Sequence, residues 1–111
     1  MEIEIRKYLH DIKESIESIN SYLGENRNFT DYQNNKMLRR AIEREFEIIG
    51  EAMKMLANID ENIPITSKQQ IIGMRNRVIH GYDKIDDELV WGTIVKHLPT
   101  LQLEVSNLLK K

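Results

Sequence analysis

Ile5, Tyr8, Leu9, Ile12, Ile16, Ile19 and Leu23 recur at intervals of three or four residues along the start of the chain. At about 100° per residue they form one narrow stripe, which predicts an amphipathic helix closed by Gly24. Glu25 to Asp31 read as a polar loop. A second apolar face, made of Leu38, Ala41, Ile42, Ile49, Ala52, Met53 and Leu56, predicts a helix from about Tyr32 to Ala57. Arg39, Arg40, Glu43, Arg44, Glu47 and Glu51 form its charged side, while Glu45 stands out near the centre of the apolar stripe. Gly50 inside this helix should cost about 1 kcal/mol relative to alanine, which points to a close helix approach, within the bundle or across a dimer. Asn58 to Thr66, with Pro64, break the pattern. Ser67-Lys68-Gln69-Gln70 then has the form of a capping box, opening a third helix from about Lys68 to His80, with Gly81 as its stop. A fourth, capped by Asp86 or Asp87, carries Val90, Ile94, Leu98, Leu101, Val105 and Leu108 inward. Pro99 should kink it by removing one hydrogen bond and crowding the preceding turn. With no alternating strand pattern and no repeat, the chain reads as all-α. The expected architecture is one domain over residues 1–111, an antiparallel bundle of four main helices with a kinked last helix.

Composition narrows the function. Sixteen basic against 18 acidic residues give a formal charge of −2, so any contact with nucleic acid must come from a local cluster rather than a uniformly basic coat. There is no cysteine, which removes disulfides, thiolate metal sites and cysteine nucleophiles. Met1-Glu2-Ile3-Glu4-Ile5 lacks the basic start and apolar run of a signal peptide, and no stretch approaches a membrane span. The expected location is cytoplasmic, without membrane contact, and the Asn28-Phe29-Thr30 sequon then carries no meaning. His10 and His97 read as surface or structural residues. No histidine or carboxylate set has metal-ligand spacing, and nothing calls for a cofactor. Trp91 reads as core or dimer-interface packing rather than a base-stacking platform.

The densest reactive group is Met74-Arg75-Asn76-Arg77-Val78-Ile79-His80-Gly81-Tyr82. On a helix, Ile71, Met74, Val78 and Ile79 define an apolar arc that includes Arg75, whereas Asn76, Arg77 and His80 lie on the polar side. Two readings follow. In one, Arg75 forms a buried salt bridge with Glu45 that holds the bundle, and His80 merely sits at a helix C-terminus, where the dipole favours it. In the other, histidine moves a proton and arginine holds a phosphate, a pair able to cleave RNA without a metal. Arg75 and His80 lie about 140° apart on an uninterrupted helix. Convergence on one phosphate therefore needs the helix to end near His80, or a homodimer that brings two copies of Arg75, Arg77 and His80 into one cleft.

Arg75 and His80, four residues between them, with Tyr82 after Gly81, form a complete R-x4-H-x-Y motif. With Arg44 to Met53 (REFEIIGEAM), Gly73 to Tyr82 (GMRNRVIHGY) and Leu89 to Leu98 (LVWGTIVKHL), the chain resembles the HepT-like toxins of the HEPN superfamily over most of its length. The resemblance implies a metal-independent ribonuclease toxin of a type VII-like toxin–antitoxin pair. It would act as a homodimer on transfer or messenger RNA, with Arg75 and His80 catalytic and Asn76 and Arg77 in support. It also implies a partner nucleotidyltransferase that serves as antitoxin by adding AMP to Tyr82, placing bulk and negative charge beside the phosphate-binding cleft. A different class of role, a non-catalytic nucleotide- or partner-binding subunit of a nucleotidyltransferase complex, would use Arg75 only to grip a phosphate.

Overall fold

The computed structural model describes residues 2–79 and 87–111, and among these the chain is helical without strands. The helices are α1 (Ile3–Leu23), α2 (Phe29–Asn34), α3 (Lys36–Ile59), α4 (Lys68–Ile79), α5 (Asp87–Lys96) and α6 (Leu98–Leu109). The apolar stripe of α1 buries Leu9, Ile12, Ile16 and Ile19. Gly24 ends the helix at φ +66°, a left-handed conformation that glycine adopts without a side-chain penalty, and donates its N–H to the Asn20 carbonyl at 2.9 Å.

Two short asparagine caps redraw the region expected to be a loop. The Asn28 side chain accepts from the Asp31 N–H at 3.1 Å and opens α2, and that of Asn35 accepts from the Leu38 N–H at 3.0 Å and opens α3. Tyr32, placed by the pattern at the start of the second long helix, therefore belongs to a separate turn-and-a-half of helix. Asn28, the sequon residue, is a helix cap. On α3 the core face is wider than the pattern implied: Phe46 is fully buried, and so is Gly50. Glu43, expected on the charged side, is also buried, with its side chain 12% exposed.

The break before α4 is pinned rather than loose. Ile63 and Ile65 insert into the core, and the Thr66 N–H and hydroxyl donate to the Glu104 carboxylate on α6 at 3.2 and 3.3 Å. α4 starts at Lys68 as the capping sequence implied, and the Ile71 N–H donates to the Ser67 carbonyl at 3.0 Å. Its last described residue is Ile79, so the expected end at His80 and the Gly81 stop lie outside the described residues. The expected fourth helix is divided. Pro99 is the second residue of α6, where its missing N–H costs little, and His97 forms the joint. Hydrogen bonding still runs through that joint: the His97 N–H donates to the Thr93 carbonyl at 2.9 Å, and its carbonyl accepts from the Leu101 N–H at 3.0 Å. In place of one kinked helix there are two short ones meeting at His97.

Cross-helix contacts set the directions. Tyr22, near the end of α1, meets Glu45 in the first half of α3, and Arg6, near the start of α1, reaches the Leu109 carbonyl at the end of α6. α1 thus runs antiparallel to both, and α4 runs back along α3 after the short break. The core lies between α1, α3 and the α5–α6 pair, closed on one side by Ile71 and Met74 of α4.

Candidate functional site

α4 presents Ile71 and Met74 to the core, and its Asn76 and Arg77 to solvent, as the helical pattern requires. Arg75 falls between these faces, toward α3, with its side chain 19% exposed. It can lie there because the facing residue is Gly50. A Cβ built on Gly50 would come within 2.6 Å of the Arg75 Cγ and closer still to its Cβ, well inside van der Waals contact. The close approach anticipated from this glycine therefore exists within the chain, with an arginine stem laid on bare helix backbone.

The guanidinium is held at two of its three nitrogens. Nη2 forms an ion pair with Glu51 Oε2 at 2.6 Å, and Nη1 donates to Asn76 Oδ1 at 3.3 Å. Nε is buried and has no acceptor among the described residues. Glu51 itself is half exposed, at 52%. The pair is thus a shielded cation bridged by a carboxylate at the surface, a geometry worth at most about 1 kcal/mol to folding.

Glu45 is not the partner of Arg75. Its carboxylate accepts a hydrogen bond from the Tyr22 hydroxyl at 2.9 Å, which holds that hydroxyl above its ordinary pKa. Glu51 lies six positions after Glu45, roughly 120° around the helix, so Glu45 reaches α1 and Glu51 reaches α4. A salt bridge from Arg75 to Glu45 holding the bundle is accordingly ruled out. Glu51, read from the pattern as part of the charged face, has the place assigned to Glu45.

A second polar group gathers where α2, the first half of α3 and the start of α5 meet. Burial pushes the Glu43 carboxyl above the usual range; Arg40, 3.6 Å away, and Arg39 pull it back, while Asp87 and Glu47 add to the rise. Burial likewise raises the Tyr32 hydroxyl, with Asp87 and Glu43 contributing, and this hydroxyl has no partner among the described residues. The Tyr32 ring packs against Trp91 at 5.3 Å between centroids, and Phe29 lies 6.0 Å from the same indole. Trp91 is half-buried within this aromatic group, which agrees with a packing role. Glu43 stands three, seven and ten positions before the buried Phe46, Gly50 and Met53, a spacing that could have marked it as a boundary residue despite its charge.

The motif is therefore seen in part. Arg75, Asn76 and Arg77 are placed; His80 and Tyr82 lie outside the described residues. His10 is exposed and His97 half-buried, and among the described residues no group of His, Asp or Glu could hold a metal ion. Among the described residues no helix is long and apolar enough to cross a membrane. The cations that line the α1–α3 groove with Glu51 are paired, Lys7 with Asp11 at 3.0 Å and Arg44 with Glu47 at 3.3 Å.

Residues 12–108 match a family model described as "Ribonuclease HepT-like". Similar proteins include one of Methanocaldococcus jannaschii named "Putative RNase", 33% identical over 92% of this chain and 94% of its own length. A second protein of that organism with the same designation is 36% identical over 90% and 92% of the two chains. A protein of Thermococcus cleftensis named "Probable ribonuclease HepT" is 33% identical over 95% and 96%. No solved structure gives a significant match.

Proposed function

The chain belongs to the HepT-like ribonuclease family of the HEPN superfamily, and from that membership we propose that it is a metal-independent endoribonuclease, the toxin of a type VII-like toxin–antitoxin pair. The observation that carries the reading is Arg75. Its guanidinium is shielded, fixed at two nitrogens and, among the described residues, left with unused N–H groups, and a histidine follows it by five residues in sequence. Such a group suits a phosphodiester, since arginine offers five donors in a planar fork and keeps its charge.

In the proposed reaction His80 takes the proton of a ribose 2′-hydroxyl, and that oxygen attacks the adjacent phosphorus. The bond from phosphorus to the 5′-oxygen breaks, and the leaving oxygen receives a proton. Arg75 balances the charge that builds on the phosphate during the exchange. Asn76 steadies the arginine, and Arg77, exposed on the next position, supplies charge for the RNA backbone. Two copies of the chain bring two sets of these groups together, which supports a cationic cleft in a chain of net charge −2. Transfer or messenger RNA is the proposed substrate, in a cytoplasmic setting. A partner nucleotidyltransferase silences the enzyme by adding AMP to Tyr82, whose adenylyl phosphate would repel RNA.

The test is cleavage of total RNA in EDTA by the wild type, His80→Ala and Arg75→Ala, with intact mass measured on each sample. Loss of the general acid/base is expected to lower the rate by about 10²–10⁴-fold, and loss of the arginine by about 10²–10³-fold. A wild type whose mass includes an adenylyl group should be inactive until that group is removed. Full cleavage by clean His80→Ala would overturn the mechanism, and no cleavage by unmodified wild type would overturn the enzyme reading.

A further inference from the structure

Glu51 is half exposed, at 52%, yet its carboxylate reaches 2.6 Å from Arg75 Nη2. That contact exists only because α3 has no side chain at position 50, so that the Arg75 stem lies directly on the helix backbone. A surface carboxylate paired in this way adds little to folding, and a glycine in mid-helix detracts from it. Both choices make sense if the arrangement serves the orientation of the guanidinium.

We propose that Glu51 is a positioning residue for Arg75, fixing the plane of its guanidinium so that its remaining donors face the scissile phosphate. This rests on the ribonuclease reading given above. An arginine carries five N–H donors, and among the described residues one is held by Glu51 and one by Asn76. The Nε–H is buried and unpartnered among the described residues, so the donors left to face a phosphate are the second N–H on each of Nη1 and Nη2. Glu51 and Asn76 hold different nitrogens, Nη2 and Nη1, and the Gly50 backbone supports the stem from beneath. Rotation of the guanidinium about its last bonds is thereby stopped before RNA binds, which is where orientation contributes to rate. The carboxylate acts through the arginine and has no contact with the reacting atoms.

The experiment compares Glu51→Ala, Glu51→Asp and Glu51→Gln with the wild type in RNA cleavage, resolving kcat from KM, alongside the side-chain Nε–H resonance of Arg75 by NMR. Glu51→Ala should lower kcat about 10–100-fold, the scale of a misplaced catalytic group, with KM changed by no more than about threefold. Glu51→Asp, one methylene short of the guanidinium, should behave like alanine. Glu51→Gln keeps an acceptor in place and should recover most of kcat. In an Arg75→Lys background, Glu51→Ala should have almost no further effect, because the two residues act as one unit. The Arg75 Nε–H signal should shift and broaden in Glu51→Ala and stay near its wild-type position in Glu51→Gln. Wild-type kcat in Glu51→Ala would overturn the proposal, and so would a rise in activity, which would make Glu51 a competitor of the phosphate. A purely structural role predicts a lower melting temperature with the Arg75 resonance unmoved, and this too would overturn it. If the unmodified wild type fails to cleave RNA, the ribonuclease reading falls. The NMR comparison then decides separately whether Glu51 orients Arg75.

Discussion

Replacing Gly50 by alanine tests the packing on which the site depends. In an unobstructed helix the change would add about 1 kcal/mol of helix propensity. Here the new Cβ would lie 2.6 Å from the Arg75 Cγ and closer still to its Cβ, against an ordinary contact of 3.4 Å or more, so α4 would have to withdraw by well over about 0.8 Å. The obstructing atoms are the near end of the arginine side chain, fixed by the α4 backbone, and they cannot swing aside as a flexible tip would. Overpacking of this kind costs about 1–3 kcal/mol. Withdrawal of α4 also loosens Ile71 and Met74 from the core. After the propensity gain of about 1 kcal/mol, the expected net loss is up to about 2 kcal/mol, a fall in Tm of up to roughly 10 °C. Gly73→Ala is the matched comparison, because a Cβ there meets nothing within 4 Å on the exposed side of α4. It should raise Tm by a few degrees. Thermal unfolding followed by circular dichroism separates the two, and a Gly50→Ala variant as stable as Gly73→Ala would refute the close approach. RNA cleavage by Gly50→Ala should fall as well, because the guanidinium loses its place beside Glu51.

Two further outcomes follow from the fold. Glu43 has a folded-state pKa raised by burial, so the folded chain binds more protons than the unfolded one between about pH 4, the ordinary carboxylate range, and that raised value. Stability from this group is full below that window and is lost as pH rises through it. Glu43→Gln should therefore be more stable than the wild type at pH 7 in urea titrations, with the gap closing as the pH falls below about 4. A gap of opposite sign would mean that the Arg40 pair outweighs the burial. Asn35→Ala removes the side-chain cap of α3 and should cost about 1 kcal/mol, seen as a lower urea midpoint with an unchanged slope; a variant as stable as the wild type would show that the cap contributes nothing.

Much of the fold was legible because helical periodicity is a local property. The stripe from Leu9 to Ile19 sits buried as written, and α4 begins at its capping sequence. Local caps were harder to read. Asn28 and Asn35 are common loop residues, and only their hydrogen bonds to Asp31 and Leu38 show that two helices begin there. The candidate site divides along the same line. Arg75 was conspicuous as a cation on an apolar arc, and Gly50 as an expensive glycine, yet their contact was not visible in either helix alone. Glu45 looked like the partner by its anomaly, whereas Glu51 is the partner by its position.

The amino-acid sequence by itself determined the long helices, the faces most of them bury, and the R-x4-H-x-Y motif on which the family resemblance rests. It did so because hydrophobic spacing, capping and motif spacing each depend on a few neighbouring residues. Tertiary structure alone decided which acid holds Arg75 and which nominally solvated acid, Glu43, is buried. Both depend on the register and separation of α3 against its neighbours. For Arg75 that separation is set by how far α4 can descend onto the bare backbone at Gly50, a distance that periodicity within a single helix does not contain.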